Sequence, residues 1–282
     1  MRPAAWARLP AAVRLLGSIA AVSYGLGVLA VAIVAGFVVG TFGVLPFAVL
    51  PRGRRERYTI YAAVAWSRVV LWALQVRLRV SGDPGLHPGQ GALVICNHQS
   101  WLDPVLLMAT TRSNGLSKSE ILWIPVIGVY GWLAGTVFFD RKSQDGRSKA
   151  RSEVLRLTLA GNRIQVFPEG TRTRHVRPRE QVYLRLIVDC FSRGIPVIPC
   201  AVVGSDQVLP TDRLGAFPGQ TVWLDLGEAM LPSNYRTSTT FAAACWEDVR
   251  LRHSALMQRS GATPQEAPAT TSRRSRRSLQ DP

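Results

Sequence analysis

His98 and Asp103 stand five residues apart in the stretch Cys96-Asn97-His98-Gln99-Ser100-Trp101-Leu102-Asp103-Pro104. A carboxylate bonded to one imidazole nitrogen fixes the tautomer and leaves the other nitrogen free to accept a proton. Such a pair is a general base with its orienter, and it needs no serine or cysteine nucleophile when the substrate brings its own hydroxyl. Spacing decides whether the two side chains can meet. On one continuous helix, residues five apart point about 140° away from each other; across a strand-to-helix turn they can face each other. The flanks describe such a turn. Residues 92–96 are an apolar run that reads as a short buried strand. The run from Pro104 reads as the first turns of a helix, with Asp103-Pro104 as its start signal. Taken alone, Asp103 is equally a helix cap and His98 a turn residue bonded to backbone.

The elements that must position the pair recur along the chain. Strands read at 92–96, 135–141, 164–167, 196–203 and 221–226 alternate with helices at 147–160, 181–192 and 241–258. This pattern predicts an α/β fold, a mostly parallel central sheet flanked by helices. In such sheets, ligands collect beyond the carboxyl ends of the strands. Three of those ends carry suitable chemistry: His98 with Asp103, Arg141, and Glu169-Gly170-Thr171-Arg172. Arginines reaching from neighbouring strand ends would grip a phosphate bidentately. Gly170 would let backbone approach the ligand, and Thr171 would add a hydroxyl donor. Each is ordinary in isolation, Arg141 as a solvated arginine and Glu169 with Arg172 as a local turn pair.

Net charge is +16, from 34 Lys+Arg against 18 Asp+Glu, which favours a polyanionic partner. From Leu15 to Pro51 there is no charged residue, so a membrane is favoured over nucleic acid. That tract exceeds the roughly 7–15 apolar residues of a secretory signal. Fully helical, its 36 residues from Leu15 to Leu50 would span about 54 Å, against a hydrocarbon core of about 30 Å. It is either one spanning helix with an extension or a helical hairpin broken near Gly36, Gly40, Gly43 or Pro46. Arginines at both flanks (Arg2, Arg8 and Arg14; Arg52, Arg54, Arg55 and Arg57) favour the hairpin, on the cytoplasmic leaflet. The chain then divides into an N-terminal membrane segment (1–57), an interfacial or connecting helix (58–82), a catalytic domain (83–260) and a basic disordered tail (261–282). The four cysteines and four histidines lack metal-ligand spacing, so no metal is expected, and the cysteines fall in apolar segments as buried thiols.

In order and spacing, these motifs resemble those of the membrane-bound glycerolipid acyltransferases, specifically the bacterial 1-acylglycerol-3-phosphate acyltransferases. The first, Asn-His-x4-Asp, is Asn97-His98 to Asp103; the second, Gly-x-x-Phe-x-x-Arg, is Gly135, Phe138 and Arg141; the third, Phe-Pro-Glu-Gly-Thr-Arg, is Phe167 to Arg172. The fourth, apolar with an internal proline, is similar to residues 195–199, and Lys118 with Glu120, Pro125 and Gly128 resembles a further family segment. Two departures stand out: residues 173–180 are more basic than usual and lack glycine, and Cys200 replaces an aliphatic residue. The resemblance implies acyl transfer from acyl-CoA or acyl-carrier protein to a lysophospholipid, with His98 and Asp103 catalytic. It also implies that Asn97, Lys118, Arg141, Glu169, Gly170, Thr171 and Arg172 bind substrate. Lysophosphatidic acid is the expected acceptor, with lyso-ornithine lipid or another lysophospholipid as the alternative and an inactive membrane adaptor as the rival class. No cofactor is expected beyond the acyl donor. The expected partners are anionic membrane lipids, and the expected location is the cytoplasmic membrane with the catalytic domain on its cytoplasmic face.

Overall fold

A computed structural model describes residues 10–87, 89–124, 126–140, 143–173, 177–212 and 214–261. Of the expected disordered tail (261–282), residues 262–282 lie outside the described residues, as does Arg141.

The apolar tract forms one helix, α1 (Ala11–Val39), which widens into a π turn at Gly40–Val44 and a short 3-10 turn at Leu45–Phe47. The chain then folds back as α2 (Arg55–Ala73). Trp66 of α2 donates its indole N–H to Ala32 O at 2.8 Å, and Tyr24 reaches Ala73 O, so the two helices run antiparallel. The apolar tract is therefore one helix with an apolar extension, without the reversal expected near Gly36, Gly40, Gly43 or Pro46, and the hairpin in the structure pairs it with the helix expected to be separate. Helix α1 with its extension, Ala11–Phe47, is long and apolar enough to cross a bilayer by length and composition.

The interfacial or connecting helix expected over 58–82 stops at Ala73, and Gln75 turns the chain with a positive φ of 51°. Strand β1 (Arg77–Ser81) follows. Its alternation of Arg77, Leu78, Arg79 and Val80 is a period-2 edge-strand pattern, and Leu78 packs on the core.

The remaining elements are β2 (Ala92–Cys96), α3 (Asp103–Thr111), β3 (Ser113–Lys118), α4 (Ile127–Ala134), β4 (Val137–Phe139), α5 (Gln144–Leu159) and β5 (Arg163–Val166). Then come α6 (Arg185–Phe191), β6 (Val197–Val203), α7 (Ser205–Val208), β7 (Thr221–Leu226) and α8 (Ser238–Ser260). Seven strands form one sheet in the order β1-β7-β6-β2-β5-β3-β4. Neighbours are parallel except β6 with β7, so the sheet is mixed but mostly parallel.

Both faces of the sheet are covered, as alternation along β2 shows. Leu93 and Ile95 pack with Val154, Leu157, Phe241 and Trp246 of α5 and α8. Val94 and Cys96 pack on the opposite face with Leu71, Leu106 and Leu107 of α2 and α3. Strands β2 and β5 lie side by side in parallel, with Ile95 opposite Val166, so the turns that leave them emerge together.

Candidate active site

The first of these turns is built by Asp103. Its Oδ2 accepts the backbone N–H of Gln99 at 2.6 Å and of Ser100 at 2.8 Å. The chain after β2 is thus wound tightly around one carboxylate oxygen. The same oxygen lies 2.7 Å from His98 Nδ1. Two N–H groups already point at Oδ2, so His98 Nδ1–H is the third donor and the ring carries its proton on Nδ1. Nε2 then has no hydrogen-bond partner among the described residues. Asp103 is fully buried, and its carboxylate faces back into the turn without capping α3. The His98 side chain is 16% exposed and stacks on Phe167, with ring centroids 4.1 Å apart.

The second turn, leaving β5, is stapled to the first by Glu169. Its Oε1 accepts His98 N–H at 3.1 Å, and its Oε2 accepts the Thr173 hydroxyl. Thr173 N–H in turn donates to His98 O at 2.7 Å. Burial raises the Glu169 pKa, opposed by the Thr173 and His98 hydrogen bonds. Glu169, grouped among the substrate-binding residues with an orienting part foreseen for it, is 3% exposed and joins the two turns. Asn97 is also engaged within the protein. Its Nδ2 donates to Val202 O at 2.9 Å and its Oδ1 accepts Val202 N–H at 2.8 Å, which ties the end of β2 to β6. A buried amide needs both ends satisfied, and strand β6 satisfies them.

Gly170 has φ +66°, a backbone conformation that residues with a side chain rarely adopt, so the turn favours glycine. Thr171 is exposed beside it. The Arg172 guanidinium lies over the Trp101 ring, 3.8 Å from its centroid. A planar cation on an aromatic face keeps its in-plane N–H groups directed outward. Arg172 therefore shares a cleft with the His98 turn. Lys118 ends β3 on the same edge of the sheet, exposed.

Sequence reasoning missed Trp101 and Phe167 as site residues. Both lie inside the motifs, and the only signal at Trp101 is a large aromatic in a polar turn, 54% exposed in the fold. Nearby nucleophiles are occupied. Ser100 Oγ donates to Leu209 O at 2.8 Å and accepts Leu102 N–H at 3.1 Å. Cys96 is fully buried, and its thiol pKa is raised well above the ordinary value, foremost by burial. An imidazole held by a carboxylate, with its other nitrogen unengaged among the described residues, is an arrangement that can accept a proton.

Residues 77–203, which include the sheet strands and turns that carry the His98–Asp103 pair, match the family model described as Acyltransferase. Over 129 residues the chain is 34% identical to human 1-acyl-sn-glycerol-3-phosphate acyltransferase alpha, covering 44% of each chain. It is 30% identical over 139 residues to a lyso-ornithine lipid O-acyltransferase of Brucella abortus, covering 49% of this chain and 51% of that one. The match thus spans about half the length of these relatives. The fold is shared with the crystal structure of the 1-acyl-sn-glycerophosphate (LPA) acyltransferase PlsC from Thermotoga maritima. The TM-score is 0.69 at 21% identity, over 90% of this chain and 100% of that one.

Proposed function

We propose that the protein transfers an acyl group from an acyl thioester, acyl-CoA or acyl-carrier protein, to the free hydroxyl of a lysophospholipid. The observation that carries this reading is the 2.7 Å contact between His98 Nδ1 and Asp103 with Nε2 left unengaged. In this mechanism Nε2 takes the hydroxyl proton as the substrate oxygen attacks the thioester carbonyl. The tetrahedral species collapses, the C–S bond breaks, and the leaving thiolate recovers the proton from the imidazolium. Asp103 stabilises that transient cation, and Phe167 fixes the ring plane. Arg172, the backbone at Gly170 and Thr171, and the cations Lys118 and Arg141 bind the acceptor phosphate. The apolar helix α1, paired with α2 in the hairpin, keeps the domain at the bilayer where its lipid substrates reside, at the cytoplasmic face of the cytoplasmic membrane.

Lysophosphatidic acid is the acceptor favoured by basic residues beside Arg172. The similarity to a lyso-ornithine lipid O-acyltransferase supports a second reading with the same chemistry on that acceptor. Purified protein supplied with labelled acyl-CoA and each lysolipid in turn separates the two. Labelled phosphatidic acid as the main product supports the first reading, acylated ornithine lipid supports the second, and no acylated product from any acceptor contradicts both.

A further inference from the structure

Outside the catalytic cleft, the hairpin carries a groove of about 550 Å³ between the end of α1, the π turn and the first half of α2. That volume falls within the range of about 300–1,000 Å³ common for small-ligand sites. Its floor is made of small residues. A Cβ at Gly43 would stand 2.8 Å from that of Ala62, and Ala65 continues the floor one turn on. Phe42 and Tyr61 form the walls, and Phe47 stacked on Tyr58 with centroids 5.3 Å apart closes one end. Among the described residues, no charged one lines it.

Charge gathers at the rim instead. Arg54, Tyr58, Tyr61 and Ala65 follow at i, i+4, i+7 and i+11, so Arg54 heads the face of α2 that the groove runs along. Neighbouring arginines are engaged: Arg52 and Arg55 with Glu56, Arg57 with Ala160 O. Arg54 is exposed and has no ion-pair partner among the described residues. A second cation, Arg112, places its guanidinium 5.4 Å from the centroid of the Tyr61 ring. Arg112 follows α3 and immediately precedes β3, so this rim lies at the opposite edge of the sheet from His98. The groove is therefore separate from the acyl-transfer cleft.

An apolar trough with free guanidinium groups at its rim complements an amphiphile with an anionic head. We infer that the groove holds one acyl chain of an anionic phospholipid of the bilayer, its headgroup drawn to Arg54 and Arg112, as a resident lipid and not a substrate. The inference rests on the reading of the hairpin as a bilayer element.

The test uses the full chain reconstituted in vesicles of equal phosphatidylglycerol and phosphatidylcholine. Flotation is measured first, then native mass spectrometry after mild detergent extraction. The expected result is flotation with one phosphatidylglycerol retained per chain, favoured about tenfold or more over phosphatidylcholine by two interfacial cations. The double substitution Arg54→Gln with Arg112→Gln should bring that preference near unity, and Ala65→Trp should abolish retention by filling the groove. Acyl transfer in detergent monitors folding of each variant. If Ala65→Trp loses it, the arginine pair decides alone. Absence of flotation overturns the bilayer reading and the lipid site with it. Flotation without a retained lipid, equal retention of the two lipids by the wild type, unchanged retention in a folded Ala65→Trp protein, or an unchanged preference in the arginine variant overturns the lipid site only.

Discussion

Asp103 receives the His98 Nδ1–H at 2.7 Å on the same oxygen that accepts the amides of Gln99 and Ser100. One carboxylate oxygen thus shapes the turn and selects the tautomer. Charge separates from geometry in Asp103→Asn. An amide oxygen in the place of Oδ2 can still accept the two backbone N–H groups and the ring N–H, while the negative charge that would stabilise the transient imidazolium is lost. The expected outcome is a drop in kcat of about 10²-fold or more with the melting temperature changed little. A folded variant with kcat within about twofold of wild type would remove the role of the Asp103 charge.

Arg172 over Trp101 would make the proposed acceptor site sensitive to the aromatic ring that carries the guanidinium. Arg172→Ala should raise KM for the lysophospholipid by about 10–100-fold, the worth of a charge-assisted hydrogen bond. Trp101→Ala should raise it only a few-fold, since an exposed cation–π contact is worth about 0.5–1 kcal/mol. Steady-state kinetics at varied acceptor concentration read both, and unchanged KM in Arg172→Ala would contradict the assignment.

Glu169 gives a pH signature in stability. Its folded-state pKa is raised by burial, so its contribution is fully present below the unfolded value of about 4.3 and is lost as pH rises through the folded value. Glu169→Gln lacks this titration. Urea midpoints of wild type and Glu169→Gln should therefore diverge as pH rises from 4 to 8, with the wild type losing ground. A constant gap would mean that Glu169 titrates alike in the folded and unfolded chain.

His253 on α8 shows the opposite sign. It is 1% exposed, and burial lowers its pKa to about 4. Its contribution is present above the unfolded value of about 6.5 and is lost as pH falls toward 4, amounting to about 3 kcal/mol. Chemical denaturation should show an acid-side loss of stability in this window that is absent in His253→Gln. An equal loss in both proteins would place the effect elsewhere.

What the sequence made legible follows its local signals. The apolar run 92–96 ahead of Asp103-Pro104 marked the strand, the turn and the helix start, and with them the His98–Asp103 pair. The terminal helix was legible from its apolar positions. Strand β3 was not, because Ser113-Asn114-Gly115 is turn composition; its neighbours bury Ser113 and Asn114, and no hydrophobic pattern records that. The reach of α2 was overestimated because apolar residues continue past Ala73, where the period changes from helical to strand-like at Arg77. Asn97 and Glu169 sat among reactive neighbours and read as substrate contacts. Only the pairing of β2 with β6 and β5 shows that their polar atoms are satisfied within the protein.

The central claim is that His98 Nε2 acts as the base. Its most direct test is the rate of acyl transfer to lysophosphatidic acid by purified His98→Ala, with circular dichroism confirming the fold. A loss of about 10²–10⁴-fold in kcat at unchanged structure is the predicted result. A folded His98→Ala protein that transfers acyl groups at the wild-type rate would contradict it.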